Sequence, residues 1–260
     1  MLRAGVLAGL AGAAGCSRSP VGAANRTDDK VEVQTRDGSL ASRFWPGREA
    51  HWRVAAPTDP RGLVIALHGR GGSADDWFDS LDAAGHAART RLAVAAIDGG
   101  DRYWHGRRAG DDTGAMVRRE FVPLLAGQGL PTDRIGLVGL SMGGYGALLL
   151  ASELGPATVY GVATMSAALW TRPGDSAPGA FDDREDFLAH DVFARTATLR
   201  RIPVAMWCGT DDPFISGNRA FAKRLRGAKA TFDAGGHDGA YWAGHFGPAL
   251  DFLAAQAPRR

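Results

Sequence analysis

Five short runs of uninterrupted apolar residues, 63–67, 92–97, 135–138, 159–165 and 204–207, constrain the fold of this chain more than any other feature. A strand with one wet face alternates apolar and polar residues. A run that is apolar at every position belongs to a strand covered on both faces. Helix-period segments at 74–89, 113–125, 145–154, 218–225 and 242–255 separate these runs. Strands alternating with helices imply right-handed crossovers and a mostly parallel central sheet with helices on both faces, the α/β class. Two earlier segments, 31–35 and 51–55, do alternate, and are expected to form an antiparallel entry pair. No internal repeat is present, and 260 residues suit one large α/β domain.

The ends and the longest irregular stretch set the organisation. Residues 1–16 run Met1-Leu2-Arg3 and then Ala, Gly, Val and Leu to Cys16, in the manner of a bacterial lipoprotein signal with Cys16 as the lipidated residue. Ala13 stands where such signals usually carry leucine. Residues 1–29 are therefore expected to be leader and tether and 30–260 the folded domain. The protein is expected to be exported to the cell envelope, with membrane anchoring through Cys16 or release without it. No stretch after residue 20 is apolar over the roughly 18 residues that a spanning helix needs. Residues 167–200, with Pro173, Gly174, Pro178 and Gly179, are too long for a simple connection and are expected to form a lid.

Charge and cysteine content exclude several classes. The formal net charge is +2, and the basic side is almost entirely arginine, with lysine only at 30, 223 and 229, so no continuous basic face follows and nucleic acid is not an expected partner. The cluster Arg102, Arg107 and Arg108 is read as a salt-bridged loop rather than an anion site. Two cysteines cannot make a disulfide framework, and Cys208, at the end of an apolar run, reads as a small buried hydrophobe.

The chemistry is carried by Gly139-Leu140-Ser141-Met142-Gly143, placed directly after an apolar strand and before a helical segment. In a nucleophile elbow, a sharp strand-to-helix turn exposes the serine hydroxyl, and glycines remove side chains that would clash. Ser141 is the expected nucleophile. Serine needs a base, and His237, in the glycine-rich loop 235–239 after the strand 230–233, is preferred to His245 in the next helix. His68, His86 and His190 are taken as structural. The acid should lie between serine and histidine in the chain. The turn after 204–207 offers Asp211 and Asp212, with Asp212, before Pro213, preferred. The N–H of Met142 and that of Arg70, in the loop His68-Gly69-Arg70-Gly71-Gly72, are the expected oxyanion donors. That loop lacks the spacing and the lysine of a phosphate-binding loop. Trp104, Trp170 and Trp242, with Trp77 and Phe78, are candidates to line a substrate pocket, and 98–104 is the expected specificity loop.

Together, Leu67-His68-Gly69-Arg70-Gly71-Gly72, Gly139 to Ala147, Gly209-Thr210-Asp211-Asp212 and Gly236-His237 followed by Tyr241-Trp242 resemble the putative-esterase branch of the α/β-hydrolases. That branch includes the S-formylglutathione hydrolase (esterase D) and mycolyltransferase (antigen 85) relatives. The resemblance implies an α/β-hydrolase fold and acyl-ester chemistry through an acyl-enzyme, with no metal or organic cofactor. It implies a small-molecule, lipid or glycan ester as substrate. Two rivals stand beside a carboxylesterase: an exported acyltransferase acting on envelope sugars or lipids, and a non-catalytic envelope-binding protein. An aspartate rather than a glutamate in the acid turn leans toward hydrolysis.

Overall fold

The computed structural model describes residues 31–258. The leader 1–29, with Cys16, lies outside them.

Eight strands, β1 (Val33–Ala41), β2 (Glu49–Pro57), β3 (Gly62–Leu67), β4 (Leu92–Ile97), β5 (Ile135–Leu140), β6 (Val159–Met165), β7 (Val204–Gly209) and β8 (Lys229–Asp233), form one sheet. Their order is β1-β2-β4-β3-β5-β6-β7-β8. β1 pairs antiparallel with β2, and β2 antiparallel with β4. From β4 to β8 every pairing is parallel. This is the α/β-hydrolase sheet. The five apolar runs are β3 to β7, and β3 to β6 are buried at every position.

Alternate residues of each strand face opposite ways, so the sheet divides its side chains between two cores. Val64, Ala66, Val94, Ala96, Val138 and Leu140 pack with residues of α1 (Ala83–Thr90) and of the C-terminal helix. Leu63, Ile65, Leu67, Ala95, Ile97 and Leu137 pack on the other side. There they meet α2 (Thr113–Met116), α3 (Val122–Gly127), α4 (Met142–Leu154), α6 (Thr196–Leu199) and α7 (Ile215–Arg224). Two short helices, α5 (Arg184–Ala189) and α6, lie within 167–200, and α8 (Gly239–Gln256) closes the chain. No helix among the described residues is long and apolar enough to cross a membrane.

One expected helix is broken. Residues 74–89 form a single wide turn at Asp76–Ser80 and then α1, because Asp82 takes a left-handed conformation (φ 51°) and its carboxylate accepts the Gly85 N–H. Aspartate tolerates that conformation better than most residues, and its side chain caps the new helix start. β1 also extends to Ala41, well past the expected 31–35.

The sheet order places β4 and β5 on opposite sides of β3. The crossover after β3 runs to β4 on one side and the crossover after β5 runs to β6 on the other, so the connections diverge between β3 and β5 and open a crevice beyond the strands' C-terminal ends. Open α/β sheets bind ligands at such a point.

Candidate active site

Ser141 follows β5 at that crevice with φ 52° and ψ −118°, outside the conformations that residues with a Cβ prefer. Strain of this kind persists only where the surroundings impose it. Here backbone packing does so. A Cβ on Gly143 would sit 1.8 Å from the Leu67 carbonyl oxygen, and one on Gly139 would sit 2.1 Å from the Gly143 oxygen. The turn can therefore press against the end of β3 only with glycine at both positions. The Ser141 N–H donates to Met165 O (2.9 Å), and Ser141 O accepts from Tyr145 N–H and Ala168 N–H.

The structure brings Ser141, His237 and Asp212 into one hydrogen-bonded series. Asp212 Oδ2 is 2.9 Å from His237 Nδ1, and His237 Nε2 is 3.0 Å from Ser141 Oγ. A carboxylate only accepts, so Nδ1 carries the ring proton and Nε2 presents a lone pair to the hydroxyl. Asp212 is buried, while Asp211 beside it is exposed. The Phe214 N–H donates to Asp212 Oδ1 (2.7 Å). Burial pushes the Asp212 carboxyl upward, but the contacts around it, the hydrogen bond from His237 foremost and then those from Ser166 and the Phe214 N–H, outweigh that and hold it below the ordinary carboxylate value. His245 is engaged elsewhere: its Nε2 lies 3.1 Å from Asp233 Oδ2, its ring stacks on Tyr241, and Tyr241 Oη donates to Asp233 Oδ1 (2.7 Å).

The acid turn and the histidine loop are locked in register. A Cβ on Gly209 would lie 2.1 Å from Gly235 O, and one on Gly235 would lie 2.3 Å from the Tyr241 ring. The Asp211 N–H donates to that same Gly235 carbonyl (3.0 Å). Asp211 thus braces the turn through its backbone.

In the glycine-rich loop after β3, the N–H groups that follow Arg70 are all taken. Gly71 N–H donates to Asp101 Oδ1 (2.6 Å), Gly72 to Gly69 O (3.1 Å), Ser73 to Asp76 Oδ2 (3.1 Å) and Ala74 to Asp98 Oδ1 (2.7 Å). Among the described residues no acceptor takes the Arg70 N–H. Its direction follows from His68. Gly99 N–H donates to His68 Nε2 (2.9 Å), so Nδ1 is protonated and donates to Gly69 O (2.7 Å). With that carbonyl held, the trans peptide aims the Arg70 N–H the opposite way. A Cβ on Gly69 would lie 3.4 Å from Ser141 Cβ, so this peptide borders the serine. Met142 begins α4, and its N–H has no acceptor within the helix.

The aromatic candidates separate. Trp104 is 1% exposed and presents no surface to a substrate. It fills a slot walled by glycines, since a Cβ on Gly99 or Gly146 would lie 2.5 or 2.4 Å from its ring. Trp77 is likewise buried, against Phe246. Trp242 stands edge-on to His237, ring centroids 5.2 Å apart. Trp170 packs against Phe214, whose ring is 5.1 Å from that of His237. Trp170 and Phe214 line a groove of about 580 Å³ with Leu169, Thr171 and Pro213. Phe214 escaped the sequence reading, although an apolar residue just past the acid turn was a usable signal. His68, Asp98 and Asp101 also act here, by aiming and bracing the Arg70 loop.

The arginine cluster is paired, as read from the sequence. Arg102 meets Asp111 (2.8 Å), Arg107 meets Asp182 (2.8 Å), and Arg108 meets Asp183. Cys208 is buried, and burial with Asp212 nearby pushes its thiol up to about 12, which leaves it inert.

Residues 47–253 match the model of the "Putative esterase" family. The chain belongs to that family. Over 172 residues it is 31% identical to the putative esterase NocK of Nocardia uniformis subsp. tsuyamanensis, a match covering 62% of this chain and 47% of NocK. The chain thus spans about half the length of that curated relative. Among solved structures, a ferulic acid esterase superposes with a TM-score of 0.75 at 19% identity, over 88% of this chain and 100% of the other. The S-formylglutathione hydrolase FrmB of Staphylococcus aureus superposes with a TM-score of 0.72 at 16% identity, over 86% and 99%. Likeness at these identities establishes the α/β-hydrolase fold.

Proposed function

We propose that this esterase-family protein hydrolyses a carboxylic ester through an acyl-enzyme on Ser141. The hydrogen-bonded series Asp212–His237–Ser141 carries the reading. His237 Nε2 takes the hydroxyl proton as Ser141 Oγ attacks the carbonyl, then returns it to the departing alcohol. Asp212 keeps the ring in the right tautomer and stabilises its cation. The N–H groups of Met142 and Arg70 receive the developing oxyanion, each such donor typically lowering the barrier by about 3 kcal/mol. Water, activated by the same histidine, then releases the acid. The groove beside Phe214 and Trp170 accepts one arm of the ester, and Trp242 also packs against His237. Export directed by residues 1–16, with lipidation of Cys16, belongs to this proposal, and cell fractionation with intact-mass analysis tests it.

The experiment is hydrolysis of p-nitrophenyl esters from acetate to palmitate by wild type and Ser141→Ala, with intact-mass detection of a fluorophosphonate adduct. Activity and labelling that both vanish in the variant support the reading. A folded wild type that neither hydrolyses nor labels overturns it.

A further inference from the structure

A second cluster of chemistry-bearing side chains lies apart from the Ser141 series, where the loop after β4 meets the segment 167–200. His105 is buried, and His190 and Asp186 sit beside it at the rim of the fold. Their ligand atoms all lie within 4.8 Å of one another. We propose that His105, Asp186 and His190 bind a divalent transition-metal ion, Zn²⁺ by ligand type, in a structural role that ties these two segments together.

The argument begins with the protons of His105. Its Nε2 lies 3.1 Å from Ala180 O, and its Nδ1 lies 3.0 Å from Gly106 O and 3.7 Å from Asp186 Oδ1. A neutral imidazole has one N–H. If Nε2 donates to Ala180, the lone pair on Nδ1 faces two oxygens, an arrangement that repels unless a cation lies among them. A metal ion meets that need with the histidine neutral. An imidazole whose outer N–H is given to a backbone carbonyl is the usual support for a metal-ligating histidine.

The carboxylate of Asp186 is aimed as well. Asp186 Oδ2 accepts the Asp182 N–H (2.8 Å), which leaves Oδ1 directed at both histidines. His190 Nδ1 lies 2.9 Å from that Oδ1 and 3.0 Å from Asp186 O, so it presents an N–H there in the free protein and exchanges that proton for the ion on binding. With metal–ligand bonds of about 2.0–2.1 Å, atoms 2.9 and 3.7 Å apart subtend about 90° and 130° at the ion. These angles bracket the tetrahedral value. The His105 and His190 rings lie 4.3 Å apart between centroids with 33° between their planes, so binding the ion requires His190 to turn its ring toward it. Gly106 O, 3.0 Å from His105 Nδ1, offers an oxygen on the His105 side for a fourth position. Two imidazoles with carboxylate and carbonyl oxygens suit Zn²⁺ better than the hard cations Mg²⁺ or Ca²⁺, which take oxygen alone. The ion would crosslink the loop 99–112 to α5, where Arg107 and Arg108 already pair with Asp182 and Asp183.

The test uses the full chain, purified without a metal-binding tag. Metal content is measured by plasma mass spectrometry. Zn²⁺ is then titrated calorimetrically into chelator-treated protein, with thermal unfolding followed before and after Zn²⁺ addition. The expected result is one high-affinity Zn²⁺ per chain, with a rise in unfolding temperature that is lost in His190→Gln and Asp186→Asn and retained in His245→Gln. Both variants lie at the rim and keep side chains of similar shape, so loss of binding is separable from misfolding by circular dichroism. No tight Zn²⁺ binding to folded wild type, or binding unchanged in both variants, overturns the proposal.

Discussion

Replacing Asp212 by asparagine isolates the tautomer of His237 from everything else at the site. The Phe214 N–H donates to Asp212 Oδ1 from a fixed backbone position (2.7 Å), so an asparagine keeps its carbonyl oxygen there. Its NH₂ group then faces His237 Nδ1, where the carboxylate oxygen stood at 2.9 Å. Two donors cannot share that contact, so Nδ1 becomes the acceptor and the ring proton moves to Nε2. Nε2 then points a proton at Ser141 Oγ, 3.0 Å away, and cannot remove one. The same change in serine proteases lowers turnover by about 10⁴, equivalent to about 5 kcal/mol of barrier. We expect a comparable fall in kcat for p-nitrophenyl acetate at pH 7.5, with thermal stability near wild type and fluorophosphonate labelling slowed in proportion. Activity within tenfold of wild type in folded Asp212→Asn would refute the assignment and turn attention to Asp211.

Further outcomes follow from other contacts. His237→Ala is expected to lose at least 10³ in kcat, whereas His245→Ala, which removes a contact to Asp233, should stay within tenfold; parallel kinetics on the two decide between them. Gly143→Ala places a Cβ 1.8 Å from the Leu67 carbonyl, backbone against side chain with nothing flexible to yield. It should abolish activity and lower the thermal midpoint, which scanning calorimetry would register. Trp104→Ala empties a glycine-walled slot and should destabilise the fold by about 3–5 kcal/mol in urea unfolding, as other large core truncations do. His68 is held below the ordinary imidazole value, chiefly by burial. The unfolded chain takes up that proton below about pH 6.5 and the folded chain does not. Stability should therefore fall as pH drops from about 6.5 toward the folded value, and less steeply in His68→Gln.

Much of this architecture was legible because its strands are buried on both faces. The runs at 92–97 and 159–165 coincide with β4 and β6, since a run this largely apolar has no other economical home in a chain this size. The split in the segment 74–89 was not legible. It rests on Asp82 turning left-handed to cap α1, a local choice that periodicity does not register. Ser141, His237 and Asp212 were each placed by their loop, and the structure brings those three side chains together. Trp104 misled because position after a strand says which end of the sheet a residue occupies, and nothing about whether it points out or in. Its burial depends on Gly99 and Gly146, 5 residues before it and 42 after, and only the folded chain brings them to one ring.

The Arg70 loop shows how a binding site can arise from backbone accounting. Buried or bordering N–H groups are almost always paired, and the loop spends two carboxylates from beyond β4, Asp98 and Asp101, on two of its own. Ser73 is served by Asp76 and Gly72 by Gly69, while His68 fixes the carbonyl that would otherwise let the Gly69–Arg70 peptide turn over. Among the described residues no acceptor takes the Arg70 N–H, which borders Ser141 and is already oriented, so in the proposed mechanism a developing negative charge meets it without reorganising the chain. On this account the loop's acidic neighbours act through its shape. Removing Asp101 frees the Gly71 N–H and loosens the Arg70 peptide, so Asp101→Ala should lower kcat more than it raises KM. A variant with KM alone affected would show instead that Asp101 serves substrate binding.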